Sequence, residues 1–273
     1  MKPAEGYADV RGDAHNNAED NTMSNRAKGG GADAQPDQIC ALYTDLALHP
    51  DKDFGWGKGK DNARRLGYQP TWLERLPEAV WESAAAVGNP FALAPIRAGD
   101  TVLDLGCGAG ADACIAALLV GVRGRVIGVD ITPAMVQKAR RNVRLAGLIN
   151  VTVCEADVAY LPLPDGCIDT VISNGSINLA PDKARVFGEA RRVLRPGGRL
   201  QFADMVRTDA ACCATTLTDT GSSWADCVAG TLPAEEVLSM LRQAGFTDVA
   251  FVGFTDYKTS QSTVGATFRA LRS

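Results

Sequence analysis

Histidine is nearly missing from this chain: its 273 residues hold two, His15 and His49. Eight cysteines are present, but no two are spaced as CxxC. Structural zinc sites draw on such pairs, so no bound metal is expected. A basic excess is also missing. The net charge is −4 at pH 7, and nucleic-acid binding usually requires a basic field over the phosphates, so no nucleic-acid partner is expected. Long apolar runs are lacking as well. The segment Cys114–Val122 is too short to span a bilayer, which argues against a membrane partner. The opening stretch MKPAEGYADVRGDAHNNAED has no apolar h-region, so no secretory leader is expected. Without one, the cysteines read as reduced thiols of a cytoplasmic protein rather than as a disulfide framework.

What is present is an ordinary globular balance, 46% apolar and 22% charged, long enough to bury one large core. Residues 1–36 are polar and contain Gly29-Gly30-Gly31. They carry too little apolar surface to offset ordering entropy and read as a disordered tail. Ile39, Leu42, Tyr43 and Leu46 fit an amphipathic helix over Asp37–Ala47. A loop with Phe54 and Trp56 follows over Pro50–Gly59, residues 71–86 read as helical, and Gly88-Asn89-Pro90 breaks the chain. Residues 37–94 are therefore an N-terminal helical segment ahead of a main domain, 95–273.

After Pro95 short apolar strands alternate with helices. Strands are expected at Thr101–Leu105, Arg125–Val129, Val151–Glu155, Thr170–Ser173 and Arg199–Asp204. Helices are expected at Ala111–Val120, Pro133–Ala146, Lys183–Leu194 and Ala234–Ala244. Val249–Phe254 and Val264–Leu271 close the chain as a strand pair. Such alternation predicts an α/β domain: a mostly parallel sheet, helices on both faces and an antiparallel edge.

The strongest local signal is Val102-Leu103-Asp104-Leu105-Gly106-Cys107-Gly108-Ala109-Gly110, where the first strand should give way to the first helix. Glycines there permit positive φ and close approach of a ligand to the backbone. A dinucleotide fingerprint would need a third glycine at Ala111. Asp104 instead brings negative charge to the turn, which suits a ligand carrying an ammonium and a sulfonium. Asp130 ends the second strand, where a carboxylate can accept from a ribose diol. Asp157 follows the third strand and could accept from an adenine amino group, with the Val158 N–H beside it. A glycine turn alone could be purely structural; acids at the next two strand ends argue for a site.

Asp104–Gly110, Asp130, Asp157 and the turn Arg195-Pro196-Gly197-Gly198 resemble class I methyltransferases over about residues 95–205. The resemblance implies a Rossmann-like seven-stranded sheet with S-adenosyl-L-methionine as donor. It places Asp104 and Gly106 near the methionine end, Asp130 near the ribose, Asp157 near the adenine and Asn174 beside the donor methyl, with Cys107, Gly108, Ile131 and Val158 as further cofactor-binding candidates. Residues 95–273 become the methyltransferase domain and 37–94 its cap, with Tyr43 either stacking near the methionine end or making an ordinary packing contact.

Three further stretches resemble the arsenite methyltransferases: Val129-Asp130-Ile131-Thr132-Pro133-Ala134-Met135, Leu161-Pro162-Leu163-Pro164-Asp165, and Val171–Lys183 with its Ser173-Asn174-Gly175-Ser176-Ile177-Asn178-Leu179 core. So do Gly88-Asn89-Pro90 and Cys227-Val228-Ala229-Gly230. The implied acceptor is arsenite or a related trivalent arsenical, with a thiol co-reductant. Arsenic in that state is soft and is held by cysteine sulfur. A monomer is expected. The chain departs from the family at two positions, where Val87 and Gly175 stand in place of cysteines. Cys227 remains, and Cys212 and Cys213 could converge with it on the substrate; Asn178 could orient the acceptor loop or serve only as a turn. Two other readings stay open: a different small-molecule acceptor, and a non-catalytic sensor that binds the arsenical or the donor. Cys107, Cys114 and Cys154 read as packing residues. Asp204 reads either as acceptor-facing or as a helix cap.

Overall fold

The computed structural model describes residues 34–208 and 230–273. The first helix, α1, spans Ala34–Leu48, reaching further in both directions than its apolar spacing indicated. The stretch read as one helix over 71–86 is instead α3 (Pro70–Arg75) and α4 (Glu78–Trp81). Leu76 precedes Pro77 and takes ψ 139, the extended conformation that a following proline imposes. A further short helix, α2 (Gly59–Arg65), lies just before them.

The main domain then alternates as expected. The elements are β1 (Thr101–Leu105), α5 (Ala111–Val120), β2 (Arg125–Asp130), α6 (Pro133–Leu145), β3 (Val151–Glu155), β4 (Ile168–Asn174), α7 (Lys183–Val193) and β5 (Leu194–Arg207). They are followed by β6 (Leu232–Pro233), α8 (Ala234–Gln243), β7 (Thr247–Lys258) and β8 (Thr263–Leu271). The fifth strand is longer than read, because the Arg195–Gly198 turn is carried within it. The sheet order is β3-β2-β1-β4-β5-β8-β7, with the two-residue β6 pairing beside β5. Strands β1 to β5 run parallel. Strand β8 lies antiparallel between β5 and β7.

Both faces of the sheet are covered. Leu103, Leu105, Val129 and Phe202 point into a core closed by α7 and α8. Val102, Val126 and Ile172 point the other way, onto α5. α5 reads ADACIAALLV and is nearly all buried. Next to it, α6 turns Met135, Val136, Ala139 and Val143 inward, the spacing of one helical face. The aromatic side chains of α3 and α4 extend this second core.

Strand order reverses between β1 and β4, since the chain winds outward from them in opposite directions. In open α/β sheets ligands bind at the carboxyl ends of the strands flanking such a point. Helix α1 crosses this region: Leu46 and Ala47 pack on Ala109 and Met135, and Ile39 packs on Leu179. Two side chains tie its last turn down. Ser83 Oγ donates to Leu46 O at 3.0 Å, and Lys138 Nζ donates to Ala47 O at 3.2 Å.

Candidate active site

A cavity of about 200 Å³ opens at the carboxyl ends of β1, β2 and β4 beneath α1. Its lining includes Asp104, Gly106, Cys107, Gly108, Asp130, Ile131, Asp157, Val158 and Asn174. Nine candidate residues drawn from four segments of the sequence thus share one hollow.

The glycine turn makes the floor. Gly106, Gly108 and Gly110 have φ of 67°, 51° and 87°, a region that other residues enter with strain. A Cβ on Gly106 would stand 2.3 Å from Ser176 Cβ. Ser176 is fixed there by donating to Leu105 O at 2.8 Å. The turn is also anchored from β2: Gly108 N donates to Asp130 Oδ2 at 2.9 Å, and Thr132 N donates to Asp130 Oδ1 at 2.8 Å. Each carboxylate oxygen keeps a lone pair for another donor. Asp157 is exposed at the rim, where its Oδ1 accepts from Ala159 N at 2.8 Å. Cys107 packs its thiol against Gly128, where a Cβ would come within 2.9 Å of the sulfur.

Asp104 is 2% exposed, and its Oδ2 has no hydrogen-bond partner among the described residues. Burial drives its carboxyl well above the usual range, and the nearby Asp112 and Asp130 push it further. Burial also lifts Asp112, in the first turn of α5, to about 6, although hydrogen bonds from Asn174 and Tyr68 act against the rise. Two buried acids side by side are poised to receive a cation.

Asn174 is spent on the protein itself. Its Nδ2 donates to Asp112 Oδ2 at 2.9 Å and to Gly88 O at 3.0 Å, and its Oδ1 accepts from Val87 N at 2.9 Å. It lines the cavity as the strut holding the Val87–Gly88 segment against α5. Tyr68 joins the same strut, donating to Asp112 Oδ1 at 2.8 Å.

A second, small hollow of about 20 Å³ adjoins the first through Tyr43, Ala85 and Gly175. Its remaining lining is Trp56, Val87, Tyr257 and Thr259. A Cβ on Gly175 would meet Val87 Cγ1 at 3.2 Å. The two positions at which the chain departs from the arsenite methyltransferase pattern therefore face each other across this hollow.

Asn178 lines neither hollow; its N–H donates to Asp204 Oδ2 at 2.9 Å. Asp204 sits on the same side of β5 as Phe202 and Val206, opposite Ala203 and Met205, which pack on Val87. Cys212, Cys213 and Cys227 lie outside the described residues. Sequence reasoning passed over Asp112, Tyr68 and Trp81. An acid two residues beyond Gly110, in a helical first turn, was a usable signal for Asp112. The two aromatics arrive from the distant N-terminal segment, Tyr68 from the loop between α2 and α3 and Trp81 from α4, and left none.

A reversing parallel sheet, a positive-φ glycine turn and acids at three strand ends mark the ligand-binding edge of a doubly wound α/β domain. A family model described as a methyltransferase domain matches residues 96–245. The chain belongs to the methyltransferase domain family, whose cofactor is S-adenosylmethionine. It is 42% identical to an arsenite methyltransferase of Halobacterium salinarum, over 74% of this chain and 52% of that protein. It is 36% identical to one from Aquipseudomonas alcaligenes, over 67% of this chain and 55% of that protein. The chain thus spans about half the length of the curated relatives it matches. Among solved structures it resembles an arsenic (III) S-adenosylmethionine methyltransferase from Chlamydomonas reinhardtii, with a TM-score of 0.57 and 31% identity, covering 79% of this chain and 74% of that one.

The cavity fits this cofactor on its own terms. The buried, unpartnered Asp104 oxygen calls for a cationic donor, and the glycine turn leaves backbone exposed where a Cβ would collide. Among the described residues, no helix is long and apolar enough to cross a membrane.

Proposed function

We propose that this chain transfers a methyl group from S-adenosylmethionine to a trivalent arsenical. The observation that carries the donor half is Asp104 Oδ2, buried and unpartnered beside the glycine turn. When bound, S-adenosylmethionine supplies a methyl group on a positively charged sulfur, an inherently good leaving arrangement. In this reading Asp104, helped by Asp112, holds the ammonium. Gly106, Cys107 and Gly108 offer their backbone to the methionine end. Asp130 takes the ribose hydroxyls with Ile131 against the ring, and Asp157 and the Val158 N–H take the adenine edge. Helix α1 and Tyr43 exclude water from above. The protein's contribution is then orientation rather than proton transfer.

The names of the relatives support the arsenical. Cys227, with Cys212 and Cys213, would hold it through sulfur, and Asn178 would steady the loop that faces it. A small thiol would serve as co-reductant, and a monomer in the reducing cytoplasm suits that chemistry. One specific observation favours a second reading, another small acceptor. Val87 and Gly175, the mutually facing pair in the small hollow, offer no sulfur.

The test is incubation with labelled S-adenosylmethionine and a panel of acceptors that includes arsenite with excess glutathione. Methylated arsenic that disappears in C227S supports the first reading. Unchanged turnover in C227S refutes thiolate capture. Donor binding without any S-adenosylhomocysteine formed would mark a sensor.

A further inference from the structure

Four carboxyl groups line the large cavity, Asp104, Asp112, Asp130 and Asp157, and no lysine, arginine or histidine is among its described lining residues. A ligand that brought its own carboxylate here would meet no cation to hold it. It would depend on neutral donors, and most of those are occupied. Tyr68 Oη donates to Asp112, Ser83 Oγ to Leu46 O, Ser176 Oγ to Leu105 O, and the Asn174 amide to Asp112 and Gly88.

Trp81 is the exception. It lines the cavity, is 1% exposed, and its Nε1 is buried with no hydrogen-bond partner among the described residues. The ring is fixed in place. It meets Tyr68 edge-on with centroids 6.3 Å apart, and its own carbonyl accepts from Ala84 N at 2.9 Å. An indole N–H can only donate. Left unpaired in the interior it is costly, and native proteins seldom leave such a group without a purpose. The same cavity holds its complement, the unpartnered acceptor Asp104 Oδ2. One orphan asks for a donor and the other for an acceptor. A single small group that supplies both is the ammonium and carboxylate of an α-amino acid.

We infer that Trp81 is a binding residue for the amino-acid end of the donor, its indole N–H taking the carboxylate while Asp104 takes the ammonium. This rests on the donor site proposed above. It makes the hold on that carboxylate a neutral one, so that the cavity keeps its negative character for the positively charged sulfur.

Calorimetry with two ligands tests it: S-adenosylhomocysteine, which has the amino-acid end, and 5′-methylthioadenosine, which lacks it. In W81F the affinity for S-adenosylhomocysteine should fall by about tenfold or more, the size of a hydrogen bond to a charged group. The affinity for methylthioadenosine should stay at the wild-type level, which also reports that the variant is folded. Equal losses for both ligands, or no loss for either, overturn the assignment of Trp81. If the wild type binds neither ligand, the donor site itself is wrong and the assignment falls with it. A second measurement needs no variant. The chain has four tryptophans, and one indole N–H resonance of the 15N-labelled wild type should move on adding S-adenosylhomocysteine but not methylthioadenosine. No such selective shift would equally overturn the proposal.

Discussion

An alanine at Gly106 would put its Cβ 2.3 Å from Ser176 Cβ and 2.5 Å from Ser176 Oγ, at a residue whose φ is +67°. Two costs add. The left-handed backbone disfavours any side chain by about 1–2 kcal/mol. The collision is overpacking against a residue that cannot swing away, because Ser176 Oγ holds Leu105 O at 2.8 Å and contacts Ser173 Oγ at 2.8 Å; this adds about 1–3 kcal/mol. G106A should therefore lose about 2–5 kcal/mol of stability, a fall in melting temperature of roughly 4–20 °C. Adding S176G removes both colliding atoms but not the backbone strain. The double variant should therefore recover the overpacking part, and the cycle should show a favourable coupling of about 1–3 kcal/mol. Calorimetry with S-adenosylhomocysteine should show weakened binding in G106A, because the new methyl stands on the cavity floor. A G106A protein that melts and binds as the wild type does would refute the claim that this turn is a steric cradle.

Other perturbations reach different parts of the molecule. Asp204 keeps its proton up to about pH 7 in the fold, because burial raises its carboxyl from 3.8. The folded state therefore binds more protons than the unfolded chain between these values, and stability drains away as pH climbs from about 4 to 7; D204N should lessen that fall by up to about 4 kcal/mol in urea titrations, and superimposable pH profiles would contradict it. D130A removes the acceptor for Gly108 N and Thr132 N and should weaken S-adenosylhomocysteine binding by about tenfold or more, with D130N intermediate because it keeps one oxygen; equal affinities by calorimetry would count against Asp130. G175C alone should be destabilised, since Gly175 has φ +71° and faces Val87 Cγ1 at 3.2 Å. V87C/G175C should regain part of that loss and raise arsenite turnover, measured as methylated arsenic per mole of enzyme.

The main domain was readable because its periodicity is strong. Strands such as Val102–Leu105 are largely apolar and buried on both faces, and α6 shows a clear inward stripe. Asp104, Asp130 and Asp157 could be found since strand ends are where a parallel sheet presents its ligands. The helical segment ahead of it was harder. Pro70 and Pro77 divide a stretch whose composition looks helical throughout, and α2 opens at a glycine with φ 80° that reads as a loop. Tyr68 and Trp81 lie many residues before β1, and only tertiary packing brings them to the cavity that Asp112 also lines. Asn174 was readable as a position but not as a role. Nothing in its neighbours reveals that its amide would be committed to Val87, Gly88 and Asp112.

Val87 is steadied from the far end of the chain as well. Its carbonyl accepts from Thr255 Oγ1 at 2.7 Å, and a Cβ on Gly265 would fall 2.4 Å from that same oxygen. Tyr257 and Thr259, from β7 and the turn after it, complete the hollow. The closing hairpin thus sets the walls of this hollow independently of β1, β2 and β3: changes in its sequence should reshape the hollow while leaving the floor of the large cavity as it is.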